Sequence, residues 1–144
     1  MEQLAEGVFR LRGFPPDAVN VYVIGDVLLD AGTVRARPRI LAQTAGWRLA
    51  AHALTHAPPD HFGSSRAVCD ALGLPLWCPA GDVPIVERGD LSGLGRVASV
   101  LPWPPGRRVD RPLREGDEVG GFRVLETPAT ARGTARTGAR RIAC

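Results

Sequence analysis

The feature that most constrains this chain is Thr55-His56-Ala57-Pro58-Pro59-Asp60-His61-Phe62-Gly63, which follows the apolar run of residues 49–54. Two of the chain's three histidines fall in it, with a carboxylate beside the second. Imidazoles and a carboxylate on a short turn at the end of a buried strand are donors that can converge on one metal ion, zinc being the first choice for such a set. The same residues also suit a proline-rich surface turn capped by Asp60. Both readings place a strand before the stretch and a helix start after it.

Residues 19–33 supply the second constraint. Val19, Val21 and Val23 alternate with Asn20, Tyr22 and Ile24, Gly25-Asp26 provides a tight turn, and Val27-Leu28-Leu29-Asp30 returns before Asp30-Ala31-Gly32-Thr33 leaves the sheet. This hairpin with its Asp-x-Gly exit, the histidine stretch, Glu6-Gly7-Val8-Phe9-Arg10-Leu11 before them, and Gly89 and Thr127-Pro128 after them together resemble the metallo-β-lactamase superfamily over about residues 5–128. The family signature is His-x-His-x-Asp-His after a strand. Its second histidine falls here at Pro58, whose ring is closed on its own nitrogen and offers a metal nothing.

The resemblance implies an α/β fold, the N-terminal half of the metallo-β-lactamase αβ/βα sandwich: a mixed sheet with flanking helices and an incomplete second half. It implies zinc as cofactor, one or two ions in the family, with weak or absent binding here. His56 would be the surviving ligand of the first metal, Asp60 and His61 would belong to the second, and Asp60 would also hold the bridging hydroxide as the catalytic carboxylate. Asp30 and Thr55 would orient the ligands without binding metal; from the residues alone, Asp30 reads equally as a turn residue that ends a strand. The expected activity is hydrolysis of an ester, thioester, lactam or related bond in a small-molecule substrate by metal-activated water. The alternative is a non-catalytic remnant with an impaired metal site.

Along the chain, a strand is expected at residues 7–11 and a loop at 13–17. A short helix follows Pro38 and ends at Gly46, and a strand covers residues 47–55. In that strand Leu49, Ala51, Ala53 and Thr55 share one face, and Ala50, His52 and Leu54 the other. His52 faces away from Thr55, so it reads as a half-buried structural histidine and not as a ligand. Residues 62–73 form a helix with a Ser cap and a terminal Gly, 74–78 a strand, and 81–88 a helix led by Asp82 and closed by Gly89. Residues 91–107, rich in Gly and Pro, read as an irregular exposed connection. Residues 109–113 and 121–127, around the acidic turn 115–118, resemble the family's middle hairpin.

Charge bears on partners once it is located. All eighteen basic residues are arginine, a composition expected of GC-rich bacterial coding DNA, and four of them (Arg132, Arg136, Arg140, Arg141) lie in the last sixteen residues, which hold no acid. The remaining fourteen face fifteen acids, so the net charge of +3 belongs to the tail and the body offers no nucleic-acid-binding face. There is neither an apolar run of membrane-spanning length nor a signal-like start, from which a cytoplasmic protein without a membrane partner is expected. Cys69 and Cys78 suit small buried apolar positions.

The domain division expected is a partial metallo-β-lactamase-like domain over 1–128 and an irregular, mobile, Arg-rich tail over 129–144. An incomplete second sheet would leave the first strands partly uncovered and favour self-association. The chain also reads as frame-shifted after residue 128, and so truncated. With GC-rich codons, restoring one base in the Pro128 codon turns residues 129–134 into Gly-His-Ser-Pro-Gly-His, the family's next ligand motif, and residues 138–144 into Trp-Arg-Pro-Ala-Asp-Arg-Val.

Overall fold

Alternating apolar residues in the first third of the chain build antiparallel strands, and helices later carry the chain between parallel ones. In a computed structural model that describes residues 1–13, 19–89, 104–128 and 140–143, a seven-stranded mixed sheet runs in chain order, β1 (Glu2–Ala5), β2 (Val8–Leu11), β3 (Val21–Ile24), β4 (Val27–Leu29), β5 (Ala51–Ala53), β6 (Leu76–Pro79) and β7 (Arg111–Leu113). β1 to β4 pair antiparallel, and β4 to β7 pair parallel. Each parallel step needs a crossover. α1 (Arg37–Gln43) joins β4 to β5, α2 (Pro59–Phe62) and α3 (Ser65–Leu72) join β5 to β6, and α4 (Val83–Arg88) lies between β6 and β7.

The two faces of the sheet are covered by different layers. Val21, Val23 and Leu28 pack with Ile40 of α1 and Val68 of α3, while Leu54, Leu76 and Cys78 pack with Cys69 and Val86 of α3 and α4. On the opposite face Ile24, Val27, Leu29, Ala51 and Ala53 pack against Val119, Phe122 and Val124. Val119 and Phe122 come from a separate hairpin, β8 (Glu118–Val119) with β9 (Phe122–Arg123). Of the first strands expected to be partly uncovered, β3 and β4 are largely buried, with this short hairpin and Val124 over one face, while β1 is exposed and β2 mostly half-buried.

Several expectations change in detail. The strand expected at 47–55 shrinks to Ala51–Ala53, and Leu49, outside it, turns to the helix-covered face. Residues 109–113 do not pair with 121–127; β7 adds to β6, and β10 (Leu125–Pro128) pairs antiparallel with β11 (Arg140–Ala143). Four residues of the tail expected to be irregular thus form a strand, whose ladder uses backbone groups that side-chain pattern does not reveal. The tail's residues 129–139 and 144, most of the loop expected at 13–17 and most of the 91–107 connection lie outside the described residues. Pro104, at the end of that connection, is buried rather than exposed. Among the described residues no helix is long and apolar enough to cross a membrane.

Candidate metal centre

β4 and β5 are parallel neighbours that both end at the same rim, where open α/β sheets place their ligands. The chain leaves β4 through Asp30, a buried non-glycine residue with φ of +62°. Asp tolerates this left-handed backbone better than most residues, and a position held there against its preference marks a site the fold over-determines. The unusual backbone aims the carboxylate across at the end of β5. Asp30 Oδ1 accepts the Thr55 backbone N–H at 2.9 Å, Oδ2 accepts the Thr55 hydroxyl at 2.8 Å, and Oδ2 also accepts His61 Nδ1–H at 2.7 Å.

These contacts fix both tautomers at the rim. A carboxylate has only lone pairs to offer, so His61 must carry its proton on Nδ1 when neutral. The Thr55 hydroxyl spends its one proton on Asp30, and His56 Nδ1, 2.8 Å from that hydroxyl, must then donate to it. Each neutral ring is left with its lone pair on Nε2, the tautomer that carboxylate-backed metal histidines use. The two rings lie side by side, centroids 4.0 Å apart at 52°. Asp60, exposed, brings Oδ2 to 3.8 Å from His61 Nε2.

The loop that carries these groups is clamped from behind. Pro58 and Pro59 open α2: Pro58 is extended at φ −73° and ψ 155°, as a residue before proline must be, and Pro59 supplies the first helical turn. The Ala31 N–H donates to His61 O at 2.6 Å, and Gly32 bridges Phe62. Gly63 permits the approach, since a Cβ there would lie 2.5 Å from Val34 N and 2.6 Å from Pro59 O. Ser64, expected to cap the following helix, makes no cap hydrogen bond; its hydroxyl donates to Thr33 O and accepts the Arg37 N–H.

His52 lies apart from this network. It is fully buried on the helix-covered face, donates Nδ1–H to Leu28 O at 3.0 Å, and meets the Ser65 hydroxyl at 2.8 Å through Nε2. Burial holds its pKa below the ordinary histidine value, outweighing the Leu28 carbonyl and Asp30. The ring is thus structural, though fully buried rather than half-buried. Burial likewise pushes the Cys69 thiol up to about 12 and raises Cys78, so both stay protonated. Asp82, which the sequence marks only as a helix start, has a second role. It is buried, its Oδ2 has no partner among the described residues, and burial raises its pKa against a hydrogen bond to the Ala57 backbone, so it reaches the loop from below. No local pattern announces that contact, which joins residues far apart in sequence.

A profile of the metallo-β-lactamase superfamily matches residues 14–139. The chain belongs to the metallo-β-lactamase superfamily. Solved structures share the fold: a β-lactamase from Chitinophaga pinensis at 19% identity and a TM-score of 0.74, covering 96% of this chain and 54% of its own. A subclass B3 metallo-β-lactamase of Bradyrhizobium japonicum matches at 22% and 0.73, covering 96% and 53%, and a metallo-β-lactamase from Novosphingobium pentaromativorans at 24% and 0.71, covering 93% and 51%. The chain thus spans about half the length of these metallo-β-lactamase-fold relatives and carries the N-terminal half of the fold. No curated protein sequence matches it.

Metallo-β-lactamase superfamily members generally bind zinc, and the donors present fit such a centre in part. Zinc held about 2.0–2.2 Å from an imidazole and a carboxylate spaces the two donors roughly 3–4 Å apart, and Asp60 and His61 stand at 3.8 Å. A catalytic zinc takes three protein ligands. Among the described residues no three His, Cys, Asp or Glu side chains form a group that could hold a metal ion, and Pro58 adds no donor. The described donor set is one ligand short.

Proposed function

We propose that the chain carries part of the metal centre of a zinc-dependent hydrolase, with Asp60 and His61 as ligands of one ion and His56 as the remaining donor of its neighbour. The observation that supports this is the Asp30 carboxylate, which fixes Thr55 and His61 directly and His56 through Thr55. A metal bound in such a centre supplies an activated water for attack on an ester, thioester, lactam or related bond of a small molecule. The chain's own residues hold the imidazoles in one tautomer and aim the carboxylate, and Asp30 and Thr55 act only by orientation.

This polypeptide is expected to be catalytically silent, the reading that Pro58 favours. After dialysis against zinc, less than one tightly held equivalent should remain by elemental analysis; stoichiometric zinc with a sub-micromolar Kd overturns that expectation. Pro58→His should leave the fold intact, because φ −73° and ψ 155° suit any L-residue, yet should not by itself restore hydrolysis. The coding DNA tests the shifted frame after residue 128: a second frame without histidine codons there disposes of it.

A further inference from the structure

A cavity of about 350 Å³ opens on the far side of the loop that follows Asp30, lined by Val19, Thr33, Arg35, Ala36 and Arg39. That volume lies at the lower end of small-molecule sites. Both charged groups that line it among the described residues are guanidiniums, with no carboxylate beside them. Among the described residues Arg35 and Arg39 have neither an ion pair nor a side-chain hydrogen bond, and the buried Arg39 Nε lacks any acceptor. Arg10, Arg111 and Arg107 reach carboxylates, Glu2, Asp117 and Asp70 respectively. Other arginines such as Arg37, Arg48 and Arg114 have no ion pair among the described residues, so what sets Arg35 and Arg39 apart is the cavity they share.

We propose that this cavity binds a small oxyanion-bearing molecule, its acidic group between Arg35 and Arg39 and its apolar part against Val19 and Ala36. Arg35 precedes the N-cap Ala36 and Arg39 lies inside α1, and where both line one cavity their like charge favours an anion there. A carboxylate or phosphate takes the planar fork of an arginine through two parallel N–H groups, and so gives Arg39 Nε–H the acceptor it lacks. A Cβ added at Gly32 would lie 3.5 Å from Arg39 Nη2, and Gly32 bridges Phe62 in the metal loop. The site stands apart from the metal reading, because none of its lining residues is a proposed ligand.

The test is an amide chemical-shift titration of the full chain at constant ionic strength, with inorganic phosphate and with hexanoate as probes and chloride as reference. Saturable shifts are expected at Gly32, Thr33 and Ala36. Arg35→Gln and Arg39→Gln should each weaken binding at least tenfold, while Arg114→Gln, an exposed arginine elsewhere, should leave it unchanged. Arg39→Lys guards against misfolding, since it keeps the charge, loses the fork and should still bind, only more weakly. Absence of saturation by both probes, or shifts that persist in the Arg35→Gln/Arg39→Gln double variant, overturns the proposal.

Discussion

His52 lies in β5 and His61 on the connection that leads from it to α3, yet one is a packing group and the other faces the rim. The difference lies in what each ring's nitrogens meet. His52, inside the sheet layer, has a backbone carbonyl on one nitrogen and a serine hydroxyl on the other, so both are satisfied and the ring is sealed from water. His61, beyond the strand end, has a carboxylate on Nδ1, and its Nε2 faces the Asp60 carboxylate at 3.8 Å, too long for a hydrogen bond. A histidine thus becomes a ligand candidate through a backing carboxylate and a partly exposed second nitrogen, whatever its neighbours in sequence.

The largest test of that contrast removes the backing group. Asp30→Ala takes the acceptor from three donors and leaves an alanine at φ +62°, and should cost about 4 kcal/mol in denaturant unfolding. Asp30→Gly, which relieves the backbone but not the hydrogen bonds, should recover about 1 kcal/mol of it. Equal losses in the two variants would show that the left-handed backbone carries no strain.

Next in size, His52→Ala opens a cavity and strands a carbonyl, for an expected loss of about 3 kcal/mol. His56→Ala at the partly exposed rim should cost less than about 1 kcal/mol. A reversed order would sink the division between packing and rim histidines.

The smallest effect is in pH. Because burial lowers the folded pKa of His52, the unfolded chain takes up its proton first, and stability that is constant above about pH 6.5 falls as pH drops below it, by up to roughly 1.4 kcal/mol per unit. His52→Asn, which keeps a donor toward Leu28, should flatten this part of the stability profile. An unchanged slope between pH 6.5 and 5.5 would assign the proton to another group.

Much of the sheet was legible because its signals are local. The β3–β4 alternation, the glycine closing α3 and Gly89 closing α4 are all written within a few residues. β1 escaped notice because Glu2, Gln3, Leu4 and Ala5 are all exposed, an edge strand held by backbone pairing with β2. β11 lies in an arginine-rich segment whose pairing with β10 is made by the backbone and leaves no local signal. At the rim, the residues of the histidine stretch were legible as types, but their coupling was not. Asp30 to His61 and Ser64 to Thr33 are contacts across 31 residues, and Asp82 reaches Ala57 from still another crossover.

That long reach has a consequence for the order in which the molecule assembles. The Asp30 contacts close loops of 25 and 31 residues, and they have nothing to hold until β4 and β5 lie side by side. Their closure entropy must be met by strand pairing first, so the rim is expected to form after the barrier, on the way down to the native state. Asp30→Asn should therefore speed unfolding while changing the folding rate by less than about twofold, whereas Leu28→Ala, inside the paired strands, should slow folding. The candidate centre would then be the part of the domain that opens first and closes last, free to loosen while the sheet beneath it stays paired.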